Sequence, residues 1–573
     1  MMVFLRILLF SLLIHGIYEE KPKDRFLFIS PVKIPLALSA NFGELRIDHF
    51  HSGLDIKTQG VTGKEVVAPA SGHVYRISVS PGGFGKAIYL RHPSGYSTVF
   101  GHLDRFTPEI DEYVRKSQYE KKSFTVNLYP PADKFRFSQG DLIAYSGNTG
   151  GSSGPHLHYE IRKSDTEIPV NPLLFEFGIA DDIRPVAERL VVYPAGRHTR
   201  INGKNSPLKF SLSGSNGNYR LSAETPLRIS GPACFGIKSY DQLNDSYNKC
   251  AVYSIELLID SITRYKYVMD QFAFGESRYI NSHIDYEAYM RENTYYERAF
   301  VLPNDKLGNY EDVMDRGIFN FSDSATHHVR IILTDAFNNR SDLGFDVISS
   351  VPASTPVREI VKNLVPMPYS RTNRFRADNI MLTIPSGALY DTLFFSYKKE
   401  PGTPLMFSDV HYIHDKYTPL HKAYTISIKP DSIPEGLASK MLIVQMQEDF
   451  SRSSLGGTFT NGYLTADAMS FGMFYVGIDT VAPGIYANGL AADSDLTGRK
   501  ELRIRITDDL SGIRSYEGTI DGNWALFEYD QKNDVLVYRF DPEYITKGSM
   551  HDLVLTVTDN RDNQNVLIRK FRW

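Results

Sequence analysis

Two short blocks of this sequence carry side chains of the types that bind metal ions: HSGLD, which begins at His51, and HLH, which begins at His156. Residues i and i+2 of an extended chain point to the same face, so His156 and His158 are expected to face one pocket. Gly53 lies between His51 and Asp55 and permits a tight bend there. Imidazoles, a carboxylate and an open fourth position make up a catalytic zinc shell.

A third block, VFGHL, places His102 between the other two along the chain. A zinc ion held by such side chains lowers the pKa of a bound water to about 7 and can polarise a carbonyl group. The three blocks together therefore favour a hydrolase that uses a metal-activated water.

The order of these blocks resembles the M23 (LytM/lysostaphin-like) family of zinc endopeptidases, which cut peptidoglycan peptides. The matching pattern is H-x-x-x-D, then a small residue before H-L, then H-x-H, with the flanking segments GKEVVAPASG and GDLIAYSGNTG. The resemblance covers residues 40–175. The rest of the chain is similar, more loosely, to the β-sandwich extensions of secreted bacterial enzymes.

This resemblance implies a role for each residue of the blocks. It makes His51, Asp55 and His158 the zinc ligands, and it leaves His102 and His156 unligated beside the metal-bound water. One of these two can accept the proton of the water while the other hydrogen-bonds the developing oxyanion, each contributing about 10²- to 10⁴-fold. We favour His156 as the base because its neighbour at i+2 holds the metal, and the sequence leaves the division open.

Other histidines lack a supporting third block. His49 lies two residues before His51, and we assign it a supporting or surface role. His411 and His414 have H-x-x-H spacing and are followed by Asp415, but we do not expect a second metal there.

Three functions are consistent with these residues. The first is a zinc endopeptidase that cuts the peptide cross-links of peptidoglycan. The second is a catalytically inactive M23-like scaffold that activates other cell-wall hydrolases. Such proteins normally have substitutions at the metal ligands, whereas this sequence retains all five site residues. The third is a zinc peptidase that acts on ordinary proteins.

The composition excludes some partners. The chain has 573 residues, of which 42% are hydrophobic, and this length suggests about four domains. The formal net charge of −4 gives no sign of the basic surface that nucleic acid would require. The expected partners are peptidoglycan peptides and, through the C-terminal β domains, other envelope proteins.

The N-terminus predicts export. Arg6 precedes an apolar run over residues 7–14, which is too short to span a membrane but suits a signal peptide over residues 1–18. An uncleaved anchor is the alternative. We therefore expect a periplasmic, envelope-bound or secreted protein without a stable membrane span. The two cysteines, Cys234 and Cys250, form either a disulfide or a pair of buried thiols.

Short strand-like runs punctuated by glycine predict an all-β chain. A lead-in over residues 19–40 precedes a small antiparallel peptidase domain over residues 41–180. Within this domain residues 107–138 interrupt the strand pattern. There the charged segment Glu109–Lys122 is a candidate helix. The interruption either forms one wall of the cleft or is a solvent-exposed loop.

An internal repeat organises the remainder of the chain. GIKSYD, from Gly236, recurs as GIRSYE, from Gly512, and two alternating strands each end before an Asn-rich turn. This matched order predicts two related Ig-like β-sandwiches, over residues 183–350 and 480–573. The first carries an insertion near 270–318, in which residues 286–300 are a candidate helix. A further β domain is expected over residues 355–478.

Overall fold

The computed structural model describes residues 28–176, 178–222, 226–352, 364–491 and 493–573. Strands dominate these residues and pair mainly in antiparallel sheets. The predicted all-β fold, a small antiparallel peptidase domain followed by β-sandwiches, is confirmed. The expected signal peptide over residues 1–18 and residues 19–27 of the lead-in lie outside the described residues.

The N-terminal domain is built on one antiparallel sheet with a smaller sheet and a hairpin beside it. The main sheet contains Leu38–Ala40, Leu54–Lys57, Gly72–Val79, Lys86–Arg91, Tyr96–Leu103, Val126–Leu128, Arg136–Phe137, His156–Lys163 and Pro169–Val170. The smaller sheet contains Glu65–Val67, Arg105–Phe106 and Leu142–Tyr145, and the hairpin pairs Leu45–Arg46 with His49–Phe50. Glycine-bounded runs of apolar and β-branched residues produce these short strands.

The strand register brings the predicted site residues together. Strand His156–Lys163 lies between strands Leu54–Lys57 and Tyr96–Leu103. His158 is directly opposite Asp55 on one side and Gly101 on the other. Residues far apart in the sequence therefore converge at one end of the sheet.

The interruption after His102 contains a helix and a returning strand. The helix spans Pro108–Lys121, with a proline in its first turn and Lys122 in the left-handed conformation at its end. Strand Val126–Leu128 then pairs with Gly72–Val79 at the edge of the main sheet. The segment is thus part of the domain rather than a solvent-exposed loop.

The next unit has strands Val186–Pro194, Arg200–Ile201, Leu208–Ser215, Asn218–Leu221, Leu227–Tyr240, Ser254–Ile259, Ile262–Val268, Glu297–Arg298, Tyr310–Val313, Phe319–Phe321, Thr326–Thr334 and Arg340–Ser349. Its insertion holds helices Ile280–His283 and Tyr286–Glu292. The second helix is shorter than the candidate helix over 286–300. Asn293 adopts the left-handed conformation and caps the helix, and the strand Glu297–Arg298 follows.

Two further units complete the chain. One has strands Val365–Met367, Asn373–Ala377, Ile380–Ile384, Leu393–Phe395, Tyr397–Glu400, Val410–Ile413, Tyr424–Ile428, Met441–Met446, Arg452–Gly456, Thr458–Thr460, Tyr463–Ala468 and Gly472–Ile478. The last has strands Gly484–Tyr486, Ser494–Asp495, Glu501–Thr507, Ile513–Ile520, Asn523–Trp524, Phe527–Asp530, Val535–Arg539, Met550–Asp559 and Gln564–Arg572. Short 3₁₀ helices lie at Pro172–Leu174, Phe274–Tyr279, Asp315–Gly317, Ala438–Lys440 and Gln531–Asn533.

The two repeated Asn-rich turns have the same hydrogen bonds. Asp335 Oδ1 accepts from the backbone N–H of Asn339, and its Oδ2 accepts from the Asn339 side chain. Asp559 makes the equivalent pair of bonds with Asn563. The matched sequence segments thus form matched structures at one end of each unit.

The peptidase domain and the unit that follows it share their apolar cores. Phe42 and Phe50 of the peptidase domain pack into the core of the following unit. In the opposite direction, Leu243 and Cys250 pack into the peptidase core. Each unit therefore buries apolar surface that the other would otherwise leave exposed to water.

Both cysteines are free thiols and both are buried. Burial raises the pKa of Cys234 and of Cys250 to about 12, so each behaves as an apolar side chain. Within the described ranges, no helix has the length and apolar character needed to cross a membrane.

Candidate metal centre

Three side chains of two neighbouring segments point one donor atom each at a common position. His51 Nε2 lies 3.0 Å from Asp55 Oδ1. His158 Nδ1 lies 3.0 Å from the same oxygen and 3.1 Å from His51 Nε2. The three residues are buried, and together they form an almost equilateral triangle of donor atoms.

The triangle has the dimensions of three corners of a zinc tetrahedron. Ligand atoms about 2.0–2.1 Å from a zinc ion in tetrahedral geometry are about 3.3–3.4 Å from one another. The observed edges are slightly shorter than this, so a small outward movement of each side chain would admit the ion. Two neutral imidazoles and one carboxylate are also the donor types that zinc prefers. The residues therefore fit a zinc ion.

A backbone carbonyl orients His51. Its Nδ1–H donates to the carbonyl oxygen of Asn41 over 2.7 Å, which leaves the Nε2 lone pair free for a metal. Burial lowers the pKa of His51, and this favours the neutral imidazole that a metal needs as a ligand.

A buried carboxylate orients His158 in the opposite way. Its Nε2–H donates to Glu160 Oε1 over 2.9 Å, so that Nδ1 faces the site. Glu160 is completely buried and also accepts from Ser52 and Arg162. Burial lowers the pKa of His158, but the hydrogen bonds with Asp55 and Glu160 outweigh burial and raise this pKa to about 9.

Asp55 is held as a carboxylate. Burial alone would raise its pKa, but the charge and hydrogen bonds of the surrounding imidazoles hold the pKa of Asp55 well below its usual range. Arg46 Nη2 donates to Asp55 Oδ2 over 2.7 Å, on the oxygen that does not face the triangle. Asp55 therefore offers Oδ1 to a metal while Oδ2 is neutralised by a cation.

His156 lies beside the triangle. Its Nδ1–H donates to the carbonyl oxygen of Gly154 over 2.8 Å, with Ser152 Oγ 3.2 Å away. Its Nε2 lies 3.4 Å from Asp55 Oδ1. The ring thus presents a basic nitrogen to the metal position without completing the triangle.

His102 lies on the other side of His156, with the two ring centroids 4.8 Å apart. Its Nδ1–H donates to the carbonyl oxygen of Thr149 over 2.8 Å. Burial and the nearby imidazoles of His158 and His156 lower the pKa of His102 to about 3, so the ring is neutral at physiological pH. The backbone of His102 has φ +60°, a conformation that non-glycine residues adopt at a cost and that is frequent at functional sites.

The other histidines have other partners. His49 is exposed and lies near the carbonyl oxygen of Ile47. His411 pairs with the hydroxyl of Tyr397, and His414 pairs with Thr418. Among the described residues these histidines join no group of three metal-binding side chains.

Sequence reasoning missed three residues that support the site: Asn41, Arg46 and Glu160. Glu160 had a detectable signal, since it lies at i+2 from His158 on a strand and therefore shares the face of the ligand. Asn41 and Arg46 act across a turn and a hairpin, through contacts that no spacing rule indicates.

The residues of this site lie within a segment that matches a known protein family. Residues 49–119 and 133–172 match the model of Peptidase family M23, and residues 365–479 match the model of a Zu5-like domain. Over 123 residues the chain is 35% identical to an uncharacterized metalloprotease of Haemophilus influenzae, a stretch that is 22% of this chain and 20% of the relative. The N-terminal domain thus matches peptidase family M23, which confirms the resemblance drawn from the motifs.

Further similar proteins include one with a named activity. The chain is 32% identical over 123 residues to the DD-carboxypeptidase/endopeptidase Mpg of Neisseria meningitidis serogroup B, covering 22% of each protein. It thus spans about a fifth of the length of the curated relatives that it matches. Among solved structures, the catalytic domain of the prophage-encoded M23 protein EnpA from Enterococcus faecalis is 22% identical, covers 25% of this chain and 95% of that chain, and gives a TM-score of 0.19.

Proposed function

We propose that this protein is an exported zinc metalloendopeptidase that hydrolyses the peptide cross-links of peptidoglycan in the cell envelope. The observation that carries the proposal is the triangle of His51, Asp55 and His158 with two further imidazoles beside it, within an M23 domain. The similarity to a protein named as a DD-carboxypeptidase/endopeptidase favours peptidoglycan as the substrate. The complete set of five residues argues against an inactive scaffold.

A bound ion and the side chains of the protein would have different roles in the reaction. A bound zinc ion would lower the pKa of a water and polarise the scissile carbonyl. His51, Asp55 and His158 hold the ion, and Asn41, Glu160 and Arg46 keep their donor atoms in the required orientation.

His156 takes the part of the general base. Its Nδ1–H is engaged by Gly154, so the proton of the attacking water can move only to Nε2. That atom lies 3.4 Å from the ligand oxygen of Asp55 and hence next to the reaction. The proton then passes to the leaving amine, which departs as the peptide bond breaks.

His102 faces the developing oxyanion. Its Nδ1–H is held by the carbonyl of Thr149, so the atom available to the substrate is Nε2. Donation from Nε2 requires a second proton on this ring, which is taken from solvent and is distinct from the proton that His156 passes to the leaving amine. A hydrogen-bond donor to the oxyanion contributes about 10²- to 10³-fold, and His102 supplies one only in its protonated form.

Digestion of purified muropeptide dimers tests the proposal. The zinc-loaded full chain should convert dimers to monomers, detected by mass spectrometry, and His158→Ala should neither retain zinc nor cleave. A folded, zinc-loaded chain that leaves the dimers intact would contradict the proposal. Cleavage of ordinary L-peptides in place of muropeptides would reassign the substrate.

A further inference from the structure

A second group of buried oxygen ligands lies outside the peptidase site. Asp181 follows the peptidase domain, Asp241 follows strand Leu227–Tyr240, and Asp335 follows strand Thr326–Thr334. One carboxylate oxygen from each lies within 4.8 Å of the others. We call these three residues the junction triad.

The oxygens of the junction triad are incompletely satisfied. Asp241 is only 4% exposed, and its Oδ1 has no hydrogen-bond partner. Asp181 Oδ2 is likewise buried without a partner. A buried carboxylate without a partner is costly unless it is protonated or binds a cation.

Among the described residues, no side chain of opposite charge acts on Asp241, whereas Asp181 and Asp335 each accept hydrogen bonds from backbone amides. Besides burial, the groups that act on Asp241 are the carboxyls of Asp335 and Asp181 and the backbone amide of Gln242. Burial and the two carboxyls raise the pKa of Asp241 to about 8. The fold therefore brings together three acids in the absence of a compensating side chain at Asp241.

The last sandwich contains a similar acidic group with a different environment. Asp479, Asp508 and Asp559 also lie within 4.8 Å of one another. Asp508 Oδ2 accepts from the amides of Leu510 and Gly512, and Arg561 interacts electrostatically with Asp479 and Asp559. This second group has a cation of the protein beside it, so it serves as an internal comparison.

The geometry and charge of the junction triad suit a hard divalent cation. Ca²⁺ binds oxygen ligands at about 2.3–2.6 Å, so ligands on opposite sides of the ion are about 5 Å apart. Oxygens within 4.8 Å of one another can therefore all contact one ion. Three carboxylates favour Ca²⁺ over zinc, which prefers nitrogen and sulfur.

The loop over residues 241–251 connects the junction triad to the peptidase site through hydrogen bonds at both of its ends. Asp181 Oδ1 accepts from the amide of Asn244, in the loop that joins Asp241 to Ala251. Ala251 exchanges two hydrogen bonds with the side chain of Asn41, of 2.8 and 2.9 Å. The carbonyl of Asn41 in turn orients the ligand His51.

The same loop also packs on the peptidase domain. Ser246 Oγ donates to the carbonyl oxygen of Leu38 over 2.7 Å, and Leu243 is buried in the peptidase core. Phe337, in the turn that begins at Asp335, packs against that core as well. The junction triad therefore lies where the first sandwich is fastened to the peptidase domain.

We propose that Asp181, Asp241 and Asp335 bind a Ca²⁺ ion that fastens the first sandwich to the peptidase domain. The ion joins three segments of the chain and orders the loop over residues 241–251. Through Asn41 this loop supports His51. The site is separate from the zinc ligands and does not depend on the proposed peptidase activity.

Calorimetric titration of the zinc-loaded, calcium-free full chain with Ca²⁺ tests the inference. Asp241→Asn should weaken binding at this site at least about tenfold, because it removes a charged ligand of nearly the same shape. Asp508→Asn, the matched change in the second acidic group, should leave that affinity unchanged. Ca²⁺ should also slow amide hydrogen exchange over residues 241–251 in the unaltered chain and not in Asp241→Asn.

A variant that simply unfolds can be recognised. Asp241→Asn removes one of three like charges, so without Ca²⁺ it should resist heating at least as well as the unaltered chain. If Asp241→Asn does not fold, Asp181→Asn is titrated in its place. Absence of Ca²⁺ binding at millimolar concentration, equal binding by the variant, or tighter binding of Mg²⁺ would overturn the inference.

Discussion

Among single residues, Glu160 has the most specific supporting role, because it lies on the same strand face as His158. It is fully buried, accepts the Nε2–H of His158 and carries the charge of Arg162 on its other oxygen. Its substitution tests whether a carboxylate that touches no metal controls the metal site.

Glu160→Gln should weaken zinc binding by about 10- to 100-fold, the usual effect of losing a partner that orients a ligand. The amide is nearly the same size but lacks the negative charge that makes His158 a stronger ligand. Zinc affinity is measured by competition with a chelator of known affinity. Glu167→Gln, at a partly exposed partner of the same Arg162, is the control and should bind zinc normally. Equal affinity in both variants would limit Glu160 to a packing role.

Substitution of His102 or of His156 distinguishes metal binding from catalysis. His102→Ala and His156→Ala should each retain zinc, because neither ring belongs to the ligand triangle. Each should lose about 10²-fold or more in the hydrolysis of muropeptides, because both rings act on the transition state in the proposed mechanism. Zinc content by mass spectrometry and initial rates are measured on the same samples. A variant that hydrolyses at the unaltered rate would remove that residue from the mechanism.

Each metal-binding block could be recognised at this scale because its spacing is local, whereas the set of ligands across the blocks was implied by the resemblance to the M23 family. The H-x-H spacing and the strand period together place His156 and His158 on one side of the sheet. The supporting contacts could not be predicted in the same way. Asn41 acts through its backbone carbonyl, and any residue type can supply one.

Among the elements, the loop from Gly147 to Gly154 has the closest connection with the imidazoles. The carbonyl of Thr149 binds His102, and the carbonyl of Gly154 binds His156. Gly150 has φ +70°, and a Cβ there would overlap the backbone of Gly85. The loop can therefore approach its neighbour only with glycine at this position.

Gly150→Ala should displace the loop and with it the partners of both imidazoles. A misplacement of about 1 Å in such groups costs about 10²-fold in rate. Gly151→Ala is the matched control, since its nearest neighbour is 3.5 Å away and its φ is not positive. Both variants should bind zinc, and rates on muropeptide dimers distinguish them. Equal rates would show that the loop backbone does not position the imidazoles.

The sequence predicted the elements better than their boundaries. Strands of the peptidase domain were expected from glycine-punctuated apolar runs, and the helix at Pro108–Lys121 from its charged sequence. The candidate helix over 286–300 instead ends at Glu292, because Asn293 adopts a left-handed cap. Propensity does not reveal such a cap before the surrounding strand pairs are known.

At the scale of the whole molecule, the last sandwich folds back onto the peptidase domain. Lys532 Nζ donates to the carbonyl oxygens of Asn148 and Ser152, in the loop beside the imidazoles. Arg115 pairs with Asp541 over 2.7 Å on the helix of the peptidase domain. These contacts place the last unit next to the loop that binds both imidazoles, a relationship that motifs in either unit do not indicate.

The shared cores determine which segments can be removed without exposing buried apolar side chains. A chain that ends near Gly178 would expose Phe42 and Phe50, which pack into the first sandwich. The main core of the last sandwich instead comes from its own residues, between Leu490 and Trp573. Removal of residues 480–573 therefore leaves the large cores of the other units in place and takes away only Leu510 from the small cluster around Val410 and Leu442.

The chain that ends at Asp479 should show a higher ratio of activity on intact sacculi to activity on small muropeptides. The last sandwich narrows access from the side of residues 148–152, and a large substrate suffers more from this than a small one. Use of the ratio corrects for any loosening of the loop, which would slow both reactions equally. Lys532→Ala is the control, since it removes the contacts to the loop but keeps the bulk of the sandwich, and its ratio should stay near that of the full chain. A ratio that falls on truncation would instead mean that the last sandwich delivers the enzyme to the cell wall.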